Sequence, residues 1–358
     1  MAASKAVGEI LEQDLREVGE RLGRKLDSLA GSTLLVAGGG GFLPSYLLDA
    51  VAWANDSILS EPCRLICVDN FSTGVPSRIA HLQDRADFRF IQHDLVIPLS
   101  LDEDVAYFVH GASIASPTQY RKFPLQTIDV NVVGTRHLLE LARRRQARSF
   151  VYLSSSEVYG DPVPEAIPTP ESYRGNVSST GPRACYDESK RLAETLCFTY
   201  YREFGLPVIV VRPFNVYGPR MRLDDGRVIP DFVRDALEGS EIRVFSDGRV
   251  TRSFCYVSDA ITAILLLMVS DVHGEVFNIG NNEEITIEDL AYKVARLFGG
   301  RKVRLVTNPD ANYLTDSPRR RCPDITKVCS LINWEPTVTL REGLGRTAKW
   351  YRTQERSL

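Results

Sequence analysis

One stretch limits the fold of this chain more than any other. Leu34-Leu35-Val36-Ala37-Gly38-Gly39-Gly40-Gly41-Phe42 is an apolar, strand-like run that passes straight into four glycines and then into a helical pattern. Glycines in that position let backbone N–H groups approach an anion at a helix N-terminus. From Thr33 onward the pattern alternates. Strands are expected at 33–37, 64–68, 88–92, 105–109, 149–153 and 207–212, and helices at 44–54, 125–145 and 184–204. Several of the strands are continuous apolar runs, as a parallel sheet covered on both faces requires. The layout predicts an α/β fold built on a doubly wound parallel sheet.

The second strand ends in Val68-Asp69-Asn70, roughly 30 residues past the glycines. An acid there can take both hydroxyls of a ribose and repels a 2′-phosphate, so with Gly38 and Gly41 it points to NAD rather than NADP in a Rossmann-like domain. Asp94, after strand 88–92, is placed to bind an adenine amino group. The small residues of His110-Gly111-Ala112-Ser113 leave room for the dinucleotide. His110 itself reads as a packed strand-end histidine. The five histidines form no HExxH-type pair, so no metal is expected.

Farther along, Ala184-Cys185-Tyr186-Asp187-Glu188-Ser189-Lys190 lies on an expected helix. Residues four apart share a helix face, so Lys190 stands beside Tyr186. An ammonium there is expected to favour the phenolate and lower the tyrosine pKa. A phenolate beside an oxidised nicotinamide is a suitable base for an alcohol about to lose hydride.

The 358 residues suffice for a large core and two lobes. With 44% hydrophobic residues, 25% charged residues and a net charge of −3, the balance is that of a soluble protein with no nucleic-acid footprint. No window approaches the roughly 20 apolar residues of a membrane span, and the start of the chain lacks a signal-peptide layout. The seven cysteines are scattered and read as reduced thiols in a cytoplasmic protein. After Arg212 the rhythm becomes mixed, with loops rich in Gly, Asp and Arg at 215–229 and 246–253. Before the sheet, Val7, Ile10, Leu11, Leu15, Val18, Leu22, Leu26 and Leu29 recur at helical spacing. Such a helix either packs on its own domain, the reading favoured here, or forms a dimer contact.

Four further segments complete the pattern: Ser154-Ser155-Ser156-Glu157-Val158-Tyr159-Gly160-Asp161-Pro162, Gly175-Asn176-Val177 with Gly181-Pro182-Arg183-Ala184-Cys185-Tyr186-Asp187-Glu188, Gly218-Pro219-Arg220-Met221 with Asp225-Gly226-Arg227, and Arg321-Cys322-Pro323-Asp324-Ile325. With these, residues from about 31 to 347 resemble the extended short-chain dehydrogenase/reductase superfamily, and within it the nucleotide-sugar uronate decarboxylases. Sugar 4,6-dehydratases usually carry Asp-Glu where this chain has Ser156-Glu157. The chain departs from the family at Pro44, where the third motif glycine is usual, at Ala37, usually Thr, and at Cys322, usually Lys. Proline is tolerated in a first helical turn.

The resemblance implies an organisation into an N-terminal helical extension (1–30), an NAD-binding domain (31–211, with a return segment at about 252–280) and a nucleotide-sugar-binding lobe (212–251 and 281–358). It implies cofactor contacts at Phe42, Leu43, Asn70, Leu95, Ala112, Asn131 and Pro213 beside Gly38, Gly41, Asp69, Asp94, Tyr186 and Lys190. It implies substrate contacts at Ser116, Asn215, Arg220, Arg227, Arg252 and Arg321, with Phe245 stacking on the base. The reaction implied is NAD-dependent, redox-neutral decarboxylation of an NDP-glucuronate to the NDP-pentose through a 4-keto intermediate. Tyr186 is the base, Ser155 bonds the C4 oxygen, Lys190 serves tyrosine and cofactor, and Ser156, Glu157 and Arg321 work around the carboxylate and C5. Arg321 reads equally as a bidentate carboxylate ligand or as one of a run of surface salt-bridge arginines, Arg319, Arg320 and Arg321. Uracil and thymine both remain open as the base, and so do reduction and release of the 4-keto pentose. A 4-epimerase, a 4,6-dehydratase and a non-catalytic nucleotide-sugar-binding protein stand as alternatives. A homodimer is implied through helices 125–145 and 184–204, with Leu138, Phe198 and Tyr201 as members.

Overall fold

A computed structural model describes residues 8–308 and 315–355 of the chain. Its centre is a seven-stranded, wholly parallel sheet. In chain order the strands are Thr33–Ala37, Arg64–Asp69, Phe88–Gln92, Tyr107–His110, Ser149–Leu153, Val208–Pro213 and Glu275–Ile279. Across the sheet they run 7-6-5-4-1-2-3. The reversal falls between the first and fourth strands, where a doubly wound sheet opens a crevice at its carboxyl edge.

Period-two alternation sorts the strand side chains into two cores. Leu34, Val36, Leu65 and Cys67 join the core under helices Phe42–Ser57 and Val257–Met268. Leu35, Ala37, Ile66 and Val68 join the other, under helices Thr135–Arg144 and Ala184–Phe204. Helix Val257–Met268 is buried along its whole length, its polar residues Ser258, Asp259 and Thr262 included.

The N-terminal segment forms helix Glu9–Leu22 and a 3-10 stretch, Gly23–Leu29. Leu11, Leu15, Val18, Leu22, Leu26 and Leu29 all enter the first core, so this helix packs on its own domain. Val7 lies outside the described residues. Expected helix 125–145 is interrupted: Pro124–Asp129 and Thr135–Arg144 flank a π turn, Val130–Gly134.

Past strand Val208–Pro213 the chain leaves the sheet, builds short strands and helix Val228–Leu237, and returns to it through Val257–Met268 and Glu275–Ile279. The second lobe is tied together across this excursion. Thr251–Ser253 pairs with both Glu284–Thr286 and Arg320–Arg321, and Ile242–Val244 pairs with Val303–Leu305. None of the helices among the described residues is long and apolar enough to cross a membrane.

Candidate active site

A cleft of about 710 Å³ lies between the carboxyl edge of the sheet and the second lobe. Gly41, Phe42, Leu43, Ser155, Ser156, Glu157, Tyr186, Lys190, Pro213, Asn215, Arg227, Phe245, Arg252 and Arg321 line it. One cavity therefore collects residues from the glycine run, the Tyr186 helix and the Ser154, Met221 and Arg321 segments.

The glycine turn is shaped by close approach. Gly38 has φ +80°, and a Cβ there would meet the Ala112 backbone at 2.6 Å. Gly40 N–H donates to the Asp69 carboxylate at 2.9 Å, and Phe71 N–H donates to its other oxygen at 2.7 Å. Burial raises the Asp69 pKa, while these two N–H groups work against the rise. Leu95 packs against Gly134 in the π turn, and Asn131 in the same turn donates to Ser189 Oγ at 2.9 Å, leaving its buried carbonyl oxygen without a partner among the described residues. Asn70 and Asp94 accept Ser72 N–H and Val96 N–H in the turns after their strands. Gly38, Asp69, Asp94 and Ala112 thus stand at or just past the carboxyl ends of neighbouring strands, with tight backbone contacts, and Asn131 in the π turn carries an orphaned amide oxygen. This cradle fits a dinucleotide.

Pro44 falls in the first turn of helix Phe42–Ser57, where a missing N–H costs little. A Cβ on Gly111 would meet its ring at 2.6 Å, so proline here fills space against that glycine.

Tyr186 is buried, its ring stacked on Tyr120 at 5.0 Å with 13° between planes. Burial pushes its pKa up to about 12, and the hydrogen bond to Ser155 only partly offsets this. Lys190 is buried as well. It donates to Leu153 O at 2.8 Å and lies 5.8 Å from the centre of the Tyr186 ring. Burial brings its pKa down to about 7. The expected lowering of the tyrosine pKa by the lysine is therefore corrected for the free protein. Desolvation outweighs the ammonium, which is aimed at a backbone carbonyl.

Glu157 is the anion at the centre of the cleft's far end. Arg321 grips it with both Nη atoms, one at 2.8 Å, and Arg183 pairs with it from the other side. Burial would raise the Glu157 pKa, but Arg183 and Arg321 hold it down at about 2. Arg321 is 5% exposed, while Arg320 pairs separately with Glu284 at 2.6 Å. The surface salt-bridge reading of Arg321 is thereby replaced by a buried pair facing the cleft. Arg252 also lines the cleft, donating to Ser317 Oγ at 3.1 Å, and burial with the nearby Arg321 lowers its pKa to about 9.

Other expected contacts divide. Arg227 lines the cleft and bonds Ala115 O at 3.1 Å, and Asn215 holds Ser253 O at 2.9 Å. Ser116 stands outside the lining and donates to Asp225 O at 2.8 Å. Arg220 is not among the residues lining the cleft. It is 8% exposed, paired with Asp49, and exchanges bonds with Arg78, whose Nε donates to Arg220 O at 3.2 Å. Arg183 and Tyr120 were not assigned roles from the sequence. Arg183 stood inside a quoted motif, and its spacing of three from Tyr186 was the available signal. Tyr120 lies in the short helix Pro117–Lys122, and nothing in its local pattern marks it.

The arrangement resembles known proteins throughout. Residues 34–280 match the NAD dependent epimerase/dehydratase family. UDP-glucuronic acid decarboxylase 5 of Arabidopsis thaliana is 43% identical over 87% of this chain and 86% of its own. UDP-glucuronic acid decarboxylase 1 of Xenopus tropicalis is 41% identical over 90% and 72%. Among solved structures, the dTDP-glucose 4,6-dehydratase of Bacillus anthracis in complex with NAD has a TM-score of 0.78 at 28% identity, covering 91% of this chain and 98% of that one. The chain belongs to the NAD dependent epimerase/dehydratase family, in the branch that contains the UDP-glucuronic acid decarboxylases.

Proposed function

We propose that the protein converts UDP-glucuronate to UDP-xylose and CO₂ without net oxidation, using NAD held at the glycine turn. The observation that carries this is the presence in one cleft of Ser155, Tyr186 and Lys190 together with three guanidiniums, Arg183, Arg252 and Arg321, around the single carboxylate of Glu157. The surplus positive charge suits an anionic sugar. The relatives at 41–43% identity are named for this substrate.

A uronic acid holds its CO₂ because the carbanion left behind has no sink. With a ketone at C4 the carboxylate becomes that of a β-keto acid, the electrons of the breaking bond enter an enolate, and the enolate takes up a proton at C5. Bound NAD supplies this chemistry by accepting the C4 hydride and giving it back at the end. Tyr186 receives the proton of the C4 hydroxyl, with Ser155 bonding the same oxygen. Lys190, anchored on Leu153 O beside the Tyr186 ring, is the donor suited to the nicotinamide ribose. Arg321 and Arg252 neutralise the carboxylate end, while Asn215, Arg227 and Phe245 line the part of the cleft suited to the diphosphate and base. Asp69 favours NAD over NADP by repelling a 2′-phosphate. The working unit is a homodimer, formed through the apolar surface of the segments around 124–144 and 184–204.

Chromatographic separation with mass spectrometry of the products from UDP-glucuronate, with NAD or NADP supplied, tests the reading. UDP-xylose with CO₂, formed faster with NAD, is the expected result. UDP-galacturonate, or no change in a protein that binds the nucleotide sugar, would overturn it.

A further inference from the structure

Arg183 holds an unusual position in the cleft. It sits immediately before helix Ala184–Phe204, and its carbonyl accepts Tyr186 N–H at 2.9 Å and Asp187 N–H at 3.1 Å. The backbone thus locks it to the first turn that carries Tyr186. Its Nη2 pairs with Glu157, but its buried Nε has no hydrogen-bond acceptor among the described residues. The Asp187 carboxylate stands 3.9 Å from that Nε, and its own Oδ1 is likewise buried without a partner. Burial keeps Asp187 protonated to about pH 8, so it brings little negative charge to Arg183 at neutral pH. Glu157 is already shared with both nitrogens of Arg321.

The substrate's geometry meets this arrangement. A sugar whose C4 hydroxyl reaches Tyr186 carries its carboxyl group on the adjacent carbon, C5. The guanidinium fixed next to Tyr186 by the chain itself is Arg183. We infer that Arg183 is a specificity-determining residue that binds the substrate carboxylate together with Arg321, and that Glu157 is the internal anion bridging the two arginines. This rests on the decarboxylase reading. It assigns the distinction between a uronate and a neutral sugar to a residue from the catalytic helix as well as to one from the second lobe.

UDP-glucuronate and UDP-xylose differ only by the carboxylate, which makes them a matched pair of probes. Calorimetric titration of the NAD-loaded Tyr186→Phe protein, which does not turn over, is compared with the same protein carrying Arg183→Gln or Arg183→Lys. A lost charge-assisted bond weakens binding roughly 10- to 150-fold. The expected result is a loss of that size for UDP-glucuronate with Arg183→Gln, a smaller loss with Arg183→Lys, and nearly unchanged affinity for UDP-xylose. Equal losses for both nucleotide sugars, or none, would overturn the inference and leave Arg183 as a residue that merely positions Glu157. If the Tyr186→Phe protein itself binds neither nucleotide sugar, the decarboxylase reading falls, and the role of Arg183 with it.

Discussion

A phenol packed beneath another aromatic ring keeps its proton, and Tyr186, stacked on Tyr120 and pushed up to about 12, does so in the free protein. In the proposed reaction, its work as a base would depend on positive charge arriving in the cleft with the oxidised cofactor, because Lys190 points its Nζ at Leu153 O. Tyr186→Phe removes only the hydroxyl from a ring held by stacking. It should leave bound NAD in place and slow UDP-xylose formation by roughly 10²–10⁴-fold. Turnover near that of the wild type would exclude Tyr186 as the base. That Tyr186 stands beside Lys190 was legible in the sequence, from their spacing of four on one helix. Its protonation state was not, because desolvation depends on Tyr120 and on strands that arrive from elsewhere in the chain. Arg321 shows the same limit. Its position in a motif was readable, while its bidentate grip on Glu157, 164 residues away, is a product of the fold.

At the level of elements, the helix Glu9–Leu22 adds a charged seam to its apolar one. Asp14 is buried, bonded by Tyr256 OH at 2.9 Å and Arg346 at 2.8 Å. Arg346 also serves Glu17 and Glu342, so one guanidinium is divided among three carboxylates. Burial therefore prevails at Asp14 and raises its pKa to about 7. The folded state then binds this proton more tightly than the unfolded chain does. The contribution is full below the unfolded value of 3.8 and is lost as pH rises through about 7. Asp14→Asn, which cannot ionise, should gain in Tm relative to the wild type as pH climbs from about 4 to about 7. A relative gain by the wild type over that range would refute this assignment. Strand 149–153 was readable at its true bounds because it is a continuous apolar run. Strand Glu275–Ile279 was not expected, because Asn278 breaks its apolar pattern. In the fold Asn278 is fully buried, accepting Tyr159 OH at 2.7 Å and donating to Thr169 O at 2.9 Å and Asp324 O at 3.0 Å. The π turn at Val130–Gly134 was equally silent, since a single extra residue per turn hardly disturbs helical spacing over so short a length.

For the molecule as a whole, the apolar surface concentrates on two neighbouring segments. Leu125, Ile128 and Val133 are exposed on one, and Leu192, Tyr201 and Phe204 on the other. Leu138, expected in a subunit contact, is buried in the chain's own core, and Phe198 packs against that core. A two-fold pairing of this surface would bury the exposed set. Light scattering should give twice the monomer mass, and Leu192→Arg should shift it to the monomer. A monomeric wild-type protein at micromolar concentration would disprove the dimer. The return of Glu275–Ile279 to the sheet has a further consequence, for how the protein is made. Strand Val208–Pro213 has no partner on its outer side until residue 279 has left the ribosome. During that interval the nascent chain presents an apolar, unpaired strand, the kind of edge that recruits wrong partners. The segment translated in between, 214–274, holds only part of the second lobe, whose remaining strands Glu284–Thr286, Val303–Leu305 and Arg320–Arg321 follow the last sheet strand, so the sheet can close before the second lobe is complete.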